Sequence, residues 1–596
     1  MGGPIGALFG FFIGSAFDSP AVIQTTQEGP TTSGRGDFLC SLVVLATALM
    51  KADEKITRNE LDYVKTFFKE NFGPEGEREA YTLTVDQKRI HITYASPEGA
   101  FRALSTLKQI LATTEGSIPC MRIEDWPSIP NRGYMFSISS PKIPKMEYLK
   151  WLIDRMADLK YNQLQLYMES FVYAYKNFPQ YWEGKDVLTP EQIRELDQYC
   201  AERFIKLVPT TNGFGHMKSW LAQEELAHLA ISRTGGGVHT TLNPLKKESL
   251  ELVDRIYDGF IDVFSADMVN IGMDEPFELG MGETEAVCRQ EGQGKVYTDH
   301  LLKVCDLAKE KYGKTPMFWD DVIFKYPEQL SRLPKDGIVM EWGYETEHYF
   351  DRYCSVLKEK GVRYYVCPGS STWRTFTGRT DNMMFNVVAA AKSGSFYGAE
   401  GLLMTEWGDP GHVHTASVTY LPMVFAAEMA WNSGSTDDIQ ACMERREVMA
   451  NDLKYLDRYI FQVRGAVSLA DILYRMGNYY FLEDSVNCNA TELSCCFTKP
   501  WVITEEMKPG FRRIIPYMQQ LREELDAVEA DPLCLREAKH NCDMVIFTAE
   551  LVLGKRDRAE ADRMIQEHCD LWRCRNRETG IERYGEMVDV FFDVSQ

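Results

Sequence analysis

Two adjacent carboxylates, Asp274 and Glu275, follow the apolar run MVNIGM and precede Pro276. The run reads as a buried strand and the proline ends it, so both acids fall at a strand-to-loop bend. Paired carboxyls in unlike surroundings can divide acid–base work between a protonated and a charged partner. An acidic pair alone is common on solvated surfaces, and Asp53-Glu54 is another here. Position singles out 274–275. Further acids and indoles stand after other apolar runs: Glu169 after QLQLYM, Asn212 and His216 after IKLVPT, and Trp319, Asp320 and Asp321 after TPMF. Trp342 closes GIVMEW, and Glu406, Trp407 and Asp409 close GLLMTEWGD. Indoles cover the apolar face of a pyranose and carboxylates take its hydroxyls, so one framework gathering this set would make a sugar site.

Such a framework is legible between Asn131 and Trp431. Strand candidates recur eight times: Tyr134 to Ile138, Gln163 to Met168, Ile205 to Thr210, Met268 to Met273, Thr315 to Trp319, Gly337 to Trp342, Arg363 to Cys367 and Gly401 to Trp407. Helical patterns follow all but the fifth: Met146 to Leu159, Thr189 to Arg203, Ser249 to Phe264, Tyr297 to Tyr312, His348 to Lys360, Asn382 to Ser393 and Tyr420 to Trp431. Thr189, Pro190 and Gln192 form a capping-box start for one of them. The alternation predicts an α/β fold, a (β/α)8 TIM barrel, whose active site lies at the carboxyl ends of the strands.

The flanks differ in character. Residues 1–75 open on an apolar, glycine-rich run and continue into two helical patterns, Asp37 to Met50 and Thr57 to Phe72, the second starting at a Thr-x-x-Glu capping box. The expected segments are a helical stretch over 1–75, a partial α+β domain over 76–125, the barrel over 126–435 and a helical C-terminal domain over 436–596. In the second, Tyr81 to Val85 and Ile90 to Thr93 alternate as strands before a helix from Pro97 to Ala112. So small a sheet reads as incomplete. In GGPIGALFGFFIGSAFDS and MKADEKITRNELDYVKTFFKENFG, residues 1–75 resemble the start of the tellurium-resistance-like helical domain of DnaJ-type membrane co-chaperones.

Composition excludes some partners. With 65 Lys and Arg against 87 Asp and Glu the net charge is −22, which repels a nucleic-acid backbone. Fifteen scattered cysteines without C-x-x-C spacing suit a reducing, cytoplasmic compartment rather than a disulfide framework. The run from Pro4 to Phe17 is shorter than the roughly 20 residues of a spanning helix and has no preceding Lys or Arg, so membrane association of this end is not expected.

The segments NRGYMFSIS, MADLKYNQLQLYMESFVYAY, PTTNGFGHMKSW, NIGMDEPFELG, TPMFWDD, MEWGYE, LLMTEWGD and AAEMAWN resemble, in order and spacing, the family 20 glycoside hydrolases, the β-N-acetylhexosaminidases. That resemblance implies exo-hydrolysis of terminal β-linked GlcNAc or GalNAc, with retention, in which the substrate's own 2-acetamido oxygen attacks C1 and forms an oxazolinium ion. It implies no metal and no organic cofactor. Glu275 would be the general acid and base, and Asp274 would bind the acetamido N–H and oppose the developing positive charge. Arg132 would grip terminal-sugar hydroxyls and Asp409 would be an acidic hydroxyl ligand. Trp319, Trp342 and Trp407 would wall the acetamido pocket and sugar platform, with Glu169 and His216 supporting the acids. The family's Tyr-x-Asp after the seventh strand is absent, and Trp373 falls nearest the tyrosine's place. Ser137 replaces a common Asp after the first strand, and NIGM replaces His-x-Gly-Gly before the acids. Two alternatives stay open at this point: another acetamido-assisted glycosidase, which would resemble a paired-Asp arrangement, and a catalytically impaired glycan-binding protein. His412 and His414 could suggest a metal, but no third ligand at suitable spacing accompanies them.

Overall fold

The computed structural model describes residues 78–592 except 115, 140–141, 233–238, 321–323, 434–448 and 486–488. The helical segment expected over 1–75 and Asp321 therefore lie outside the described residues. The chain divides into Met1–Glu77 and Arg78–Gln596, and the described residues all belong to the second unit.

That unit opens with three antiparallel strands, β1 (Tyr81–Val85), β2 (Ile90–Tyr94) and β3 (Met121–Asp125), in the order β2-β1-β3. Strand β1 alternates buried and half-buried residues because only one sheet face is covered, by the helix Pro97–Thr113. Strand β3 was not expected from the sequence, since its residues MRIED carry three charges and no continuous apolar face.

Eight parallel strands then close into a barrel. They are β4 (Asn131–Ser137), β5 (Gln163–Tyr167), β6 (Lys206–Thr210), β7 (Met268–Asn270), β8 (Thr315–Trp319), β9 (Ile338–Trp342), β10 (Arg363–Cys367) and β11 (Gly401–Glu406). Closure is made by β11 pairing with β4 over six residues, from Gly401 opposite Asn131 to Glu406 opposite Phe136. These strands are buried almost throughout because the barrel interior covers one face and a helix layer the other. The interior column of Met135, Tyr167, Val208, Met317, Met340, Tyr365 and Leu403 packs with Trp319, Trp342 and Trp407, aromatic residues from the carboxyl ends of their strands.

Each helix expected between Asn131 and Trp431 is present, and among the described residues no α-helix follows β8, where the 3-10 turn Pro327–Arg332 stands instead. The capping box forms as expected, Gln192 N–H donating to Thr189 Oγ1 at 3.3 Å while Thr189 N–H donates to Gln192 Oε1 at 3.2 Å. Strand β7 stops earlier than its apolar run. Gly272, Met273 and Glu275 have φ of 68°, 83° and 46°, a left-handed conformation that takes the chain out of the sheet just where the acids begin.

Helices including Lys508–Asp526, Pro532–Val552 and Arg558–Arg575 form the C-terminal region. It reaches the loop after β11, where Asn541 Nδ2 donates to Thr415 Oγ1 at 2.8 Å. No helix among the described residues is long and apolar enough to cross a membrane.

Candidate active site

The loops after β5, β6 and β7 meet around one imidazole. His216 Nε2 lies 3.2 Å from Asp274 Oδ2 and 3.4 Å from Glu275 Oε2, while its Nδ1 lies 3.6 Å from Glu169 Oε1. Two glycines permit this convergence. A Cβ on Gly215 would sit 2.0 Å from the Asp274 carbonyl oxygen, and one on Gly272 would sit 2.4 Å from Asn212 Oδ1, so no side chain fits at either position. The two acids differ in access, the Asp274 side chain being 10% exposed and that of Glu275 37%. Glu275 is thus the acid turned toward the opening. Asp274 Oδ1 is buried without a hydrogen-bond partner among the described residues.

Burial opposes a charge on His216, but Tyr167, Asp274 and Glu169 around the ring outweigh it and hold its pKa well above the ordinary 6.5. A raised histidine adds stability that is complete below the unfolded-state value and is lost as pH rises through the folded-state value. The melting-temperature advantage of the unaltered protein over His216→Gln should therefore be full below about pH 6.5 and shrink as the pH is raised past it. An advantage that grows with pH would contradict the ion-pair geometry.

Indoles wall the space beside the acids. Trp319 and Trp407 have ring centroids 5.8 Å apart, and Tyr167 meets Trp407 edge-on at 4.8 Å. Trp319 Nε1 is also buried without a partner among the described residues. Trp342, the last residue of β9, lies 5.0 Å from Tyr344, and Trp373, after β10, meets the same Tyr344 ring edge-on at 5.0 Å. Tyr344 is the site residue that sequence reasoning missed. Its hydroxyl accepts from Trp407 Nε1 at 2.9 Å and also hydrogen-bonds with the Thr405 side chain, and because an indole nitrogen only donates, the phenolic proton is not used on Trp407. Burial raises the phenol well above its ordinary pKa, so this proton is retained. Its only sequence signal was its place in MEWGYE, two residues beyond the strand-end tryptophan. If the site turns over the 2-acetamido sugar that the family resemblance implies, Tyr344→Phe should lower kcat on it by about 10²-fold and leave the melting temperature nearly unchanged.

Asp409 also reaches the site. It is open to solvent within a concave surface, and burial by the surrounding walls, then the Glu169 charge, raise its carboxyl, with His216 and Arg374 acting against them. Arg374, unremarked in the sequence, donates its backbone N–H to the Asp409 carbonyl at 2.8 Å.

Arg132 is the expectation that the structure overturns. It is the second residue of β4, at the amino end of the barrel, opposite the acids. There its guanidinium pairs with Glu79, donates to the Lys160, Ile129 and Pro130 carbonyls at 3.0, 3.0 and 2.8 Å, and lies 4.9 Å from the Trp431 ring. Glu79 also holds Arg102 at 2.7 Å, so the arginine ties the small domain to the barrel floor rather than touching sugar. Arg132→Ala removes one of the two buried guanidiniums on Glu79, leaving Arg102, and should cost about 1.5–3 kcal/mol in urea unfolding, with kcat/KM of the folded protein unchanged. A selective loss of substrate affinity would refute this placement.

His412 and His414 do not converge on a shared centre. His412 Nε2 lies 2.7 Å from the Ser139 carbonyl, whereas His414 Nε2 lies 3.9 Å from Glu406 Oε1. Burial lowers both pKa values, leaving neutral rings.

Comparison with known proteins places the chain in a family. The family model described as "Glycosyl hydrolase family 20, catalytic domain" matches residues 130–434, and that for domain 2 of the same family matches residues 35–126. Hexosaminidase D of Bos taurus is 30% identical over 212 residues, covering 34% of this chain and 60% of its own. A beta-hexosaminidase of Akkermansia muciniphila is 29% identical over 280 residues, covering 41% and 56%. The chain thus spans less than two thirds of these relatives. Among solved structures, Flavobacterium johnsoniae chitobiase superposes with a TM-score of 0.53 at 17% identity, covering 86% of each chain. That likeness is one of fold. With the catalytic-domain match extending over half the sequence and the barrel beneath it closed, the chain belongs to glycosyl hydrolase family 20.

Proposed function

We propose that this protein is an exo-β-N-acetylhexosaminidase that removes terminal β-linked GlcNAc or GalNAc with retention, through an oxazolinium ion formed by the substrate's acetamido group. The observation that carries this reading is the buried, unpartnered Oδ1 of Asp274 beside the more open Glu275, with indoles alongside. A glycosidase that supplies its own nucleophile would place two carboxyls across the scissile bond. Here the adjacent acids suit different work. His216 holds Asp274 Oδ2, which leaves Oδ1 to accept the acetamido N–H. The acetamido oxygen bonds to C1 as the C1–oxygen bond to the leaving group breaks, and Glu275 delivers its proton to that departing oxygen. Tyr344 would donate to the acetamide, and the Asp274 charge would oppose the positive charge of the new ring. Glu275, now a carboxylate, takes a proton from water as the water oxygen bonds to C1, and the ring opens to restore the acetamide.

The test is chromophore release from aryl β-GlcNAc and β-GalNAc, with aryl β-glucoside as control. Turnover of acetamido sugars alone supports the mechanism and reports the preferred epimer at C4. Equal turnover of the glucoside would refute it, because that substrate carries no nucleophile of its own.

The cytoplasmic placement belongs to the same proposal. It is supported by twelve cysteines among the described residues, all free thiols, and is checked by cell fractionation. Two readings of residues 35–75 also remain: a separate co-chaperone-like segment, favoured by their motifs, or family domain 2, favoured by the match from residue 35. Deleting residues 1–75 leaves the melting temperature unchanged in the first case and lowers it in the second.

A further inference from the structure

We propose that Phe277 is the platform for the second sugar, the ring on the leaving-group side of the bond, and that it makes the enzyme prefer β-linked disaccharides over simple glycosides. The inference rests on the hydrolase reading above and goes beyond it by naming what lies outside the pocket. Two residues of this segment reach solvent, Glu275, whose side chain is 37% exposed, and Phe277, which is 59% exposed, while Asp274, Pro276 and Glu278 are buried. The acid that protonates the leaving oxygen must face the leaving group, so the exposed side chain two residues beyond Glu275 lies close to the space which that group enters. Phe277 is two Cα steps from Glu275, at most ~7.6 Å, and its N–H donates to the Glu275 carbonyl at 2.7 Å, which closes a tight turn and keeps the two residues together.

A single exposed aromatic is ordinary on protein surfaces, so exposure alone decides nothing. Rigidity is the second observation. The next residue, Glu278, is buried and accepts from Thr240 N–H at 3.1 Å, from Thr240 Oγ1 at 2.8 Å and from the Thr241 hydroxyl, pinning the segment to the loop after β6. Gly280 N–H donates to Thr284 Oγ1 at 2.9 Å just beyond. Phe277 is therefore held out on a braced turn with its ring in water, where a mobile loop could have tucked it away. A pyranose offers a matching C–H face and leaves its hydroxyls in solvent, so an aromatic ring at this lip suits a second hexose.

The test compares N,N′-diacetylchitobiose, which has a second ring, with methyl β-N-acetylglucosaminide, which does not. Phe277→Ala should lower kcat/KM for the disaccharide about tenfold, chiefly through KM, and leave the methyl glycoside unchanged, while Phe277→Trp restores the disaccharide. An equal loss on both substrates means that Phe277 only supports the acid and overturns the platform. Retained disaccharide activity in Phe277→Ala overturns it as well. If the unaltered protein cleaves neither substrate, the hydrolase reading itself falls and takes the platform with it.

Discussion

Replacing Glu275 by glutamine should lower kcat on methyl β-N-acetylglucosaminide by about 10²–10⁴-fold, the range that general acid catalysis supplies. Glutamine keeps the size and the hydrogen-bonding reach of the side chain but has no proton to give. The loss should therefore depend on the substrate. A nitrophenolate departs without protonation, so the aryl glycoside should lose much less at the ring-forming step than the methyl glycoside, whose alkoxide needs the proton. This gradient separates a missing acid from a damaged fold, which would reduce both substrates alike. His216 contacts both acids, at 3.2 and 3.4 Å, so a circular-dichroism melt of the variant should accompany the kinetics. Equal losses on both substrates in a folded variant would remove Glu275 from the acid's role.

Asp274→Asn should cost about 10²–10³-fold in kcat, comparable to deleting one preorganised group that faces developing charge. The physical step differs from that at Glu275. The oxazolinium ion carries positive charge, and the Asp274 carboxylate is the buried negative group placed to oppose it; an amide of the same shape removes the charge and keeps the packing. Since the charge develops whatever the leaving group, the loss should be similar for methyl and aryl glycosides. The two substitutions thus give opposite patterns across one substrate pair. The same change removes one of the carboxylates that raise His216, so the histidine's pKa should fall toward its ordinary value, visible in the imidazole NMR titration. A flat titration together with a leaving-group-dependent loss would reverse the assignment of the two acids.

Local pattern carried much of the fold. Apolar runs of strand length separated by amphipathic helices are short-range features, set by the period of each element, and eight of them in succession leave a closed parallel sheet as the solution that buries both faces. The acid pair was legible for the same reason: Asp274 and Glu275 sit where an apolar run stops. Glu169, His216, Trp319, Trp342, Trp407 and Asp409 were likewise legible as residues at or just beyond a strand's carboxyl end, and the structure brings them to the same end of the barrel.

What the pattern left open depends on which way side chains face once the barrel closes. Arg132 and Glu169 both adjoin barrel strands, but one begins its strand and the other lies past its strand's end, so parallel pairing sends them to opposite ends of the barrel. Beyond its place in MEWGYE Tyr344 carried no signal, because its value lies in a hydrogen bond accepted from Trp407, 63 residues away, which does not use its own proton. Strand β3 was hidden by its charges and exists because β1 offered an unpaired edge. The sequence by itself determined the barrel and the adjacent acids, since period and strand ends are local. Only the tertiary structure decided which residues surround those acids, because the groups that set a histidine's charge come from different loops and meet only on closure.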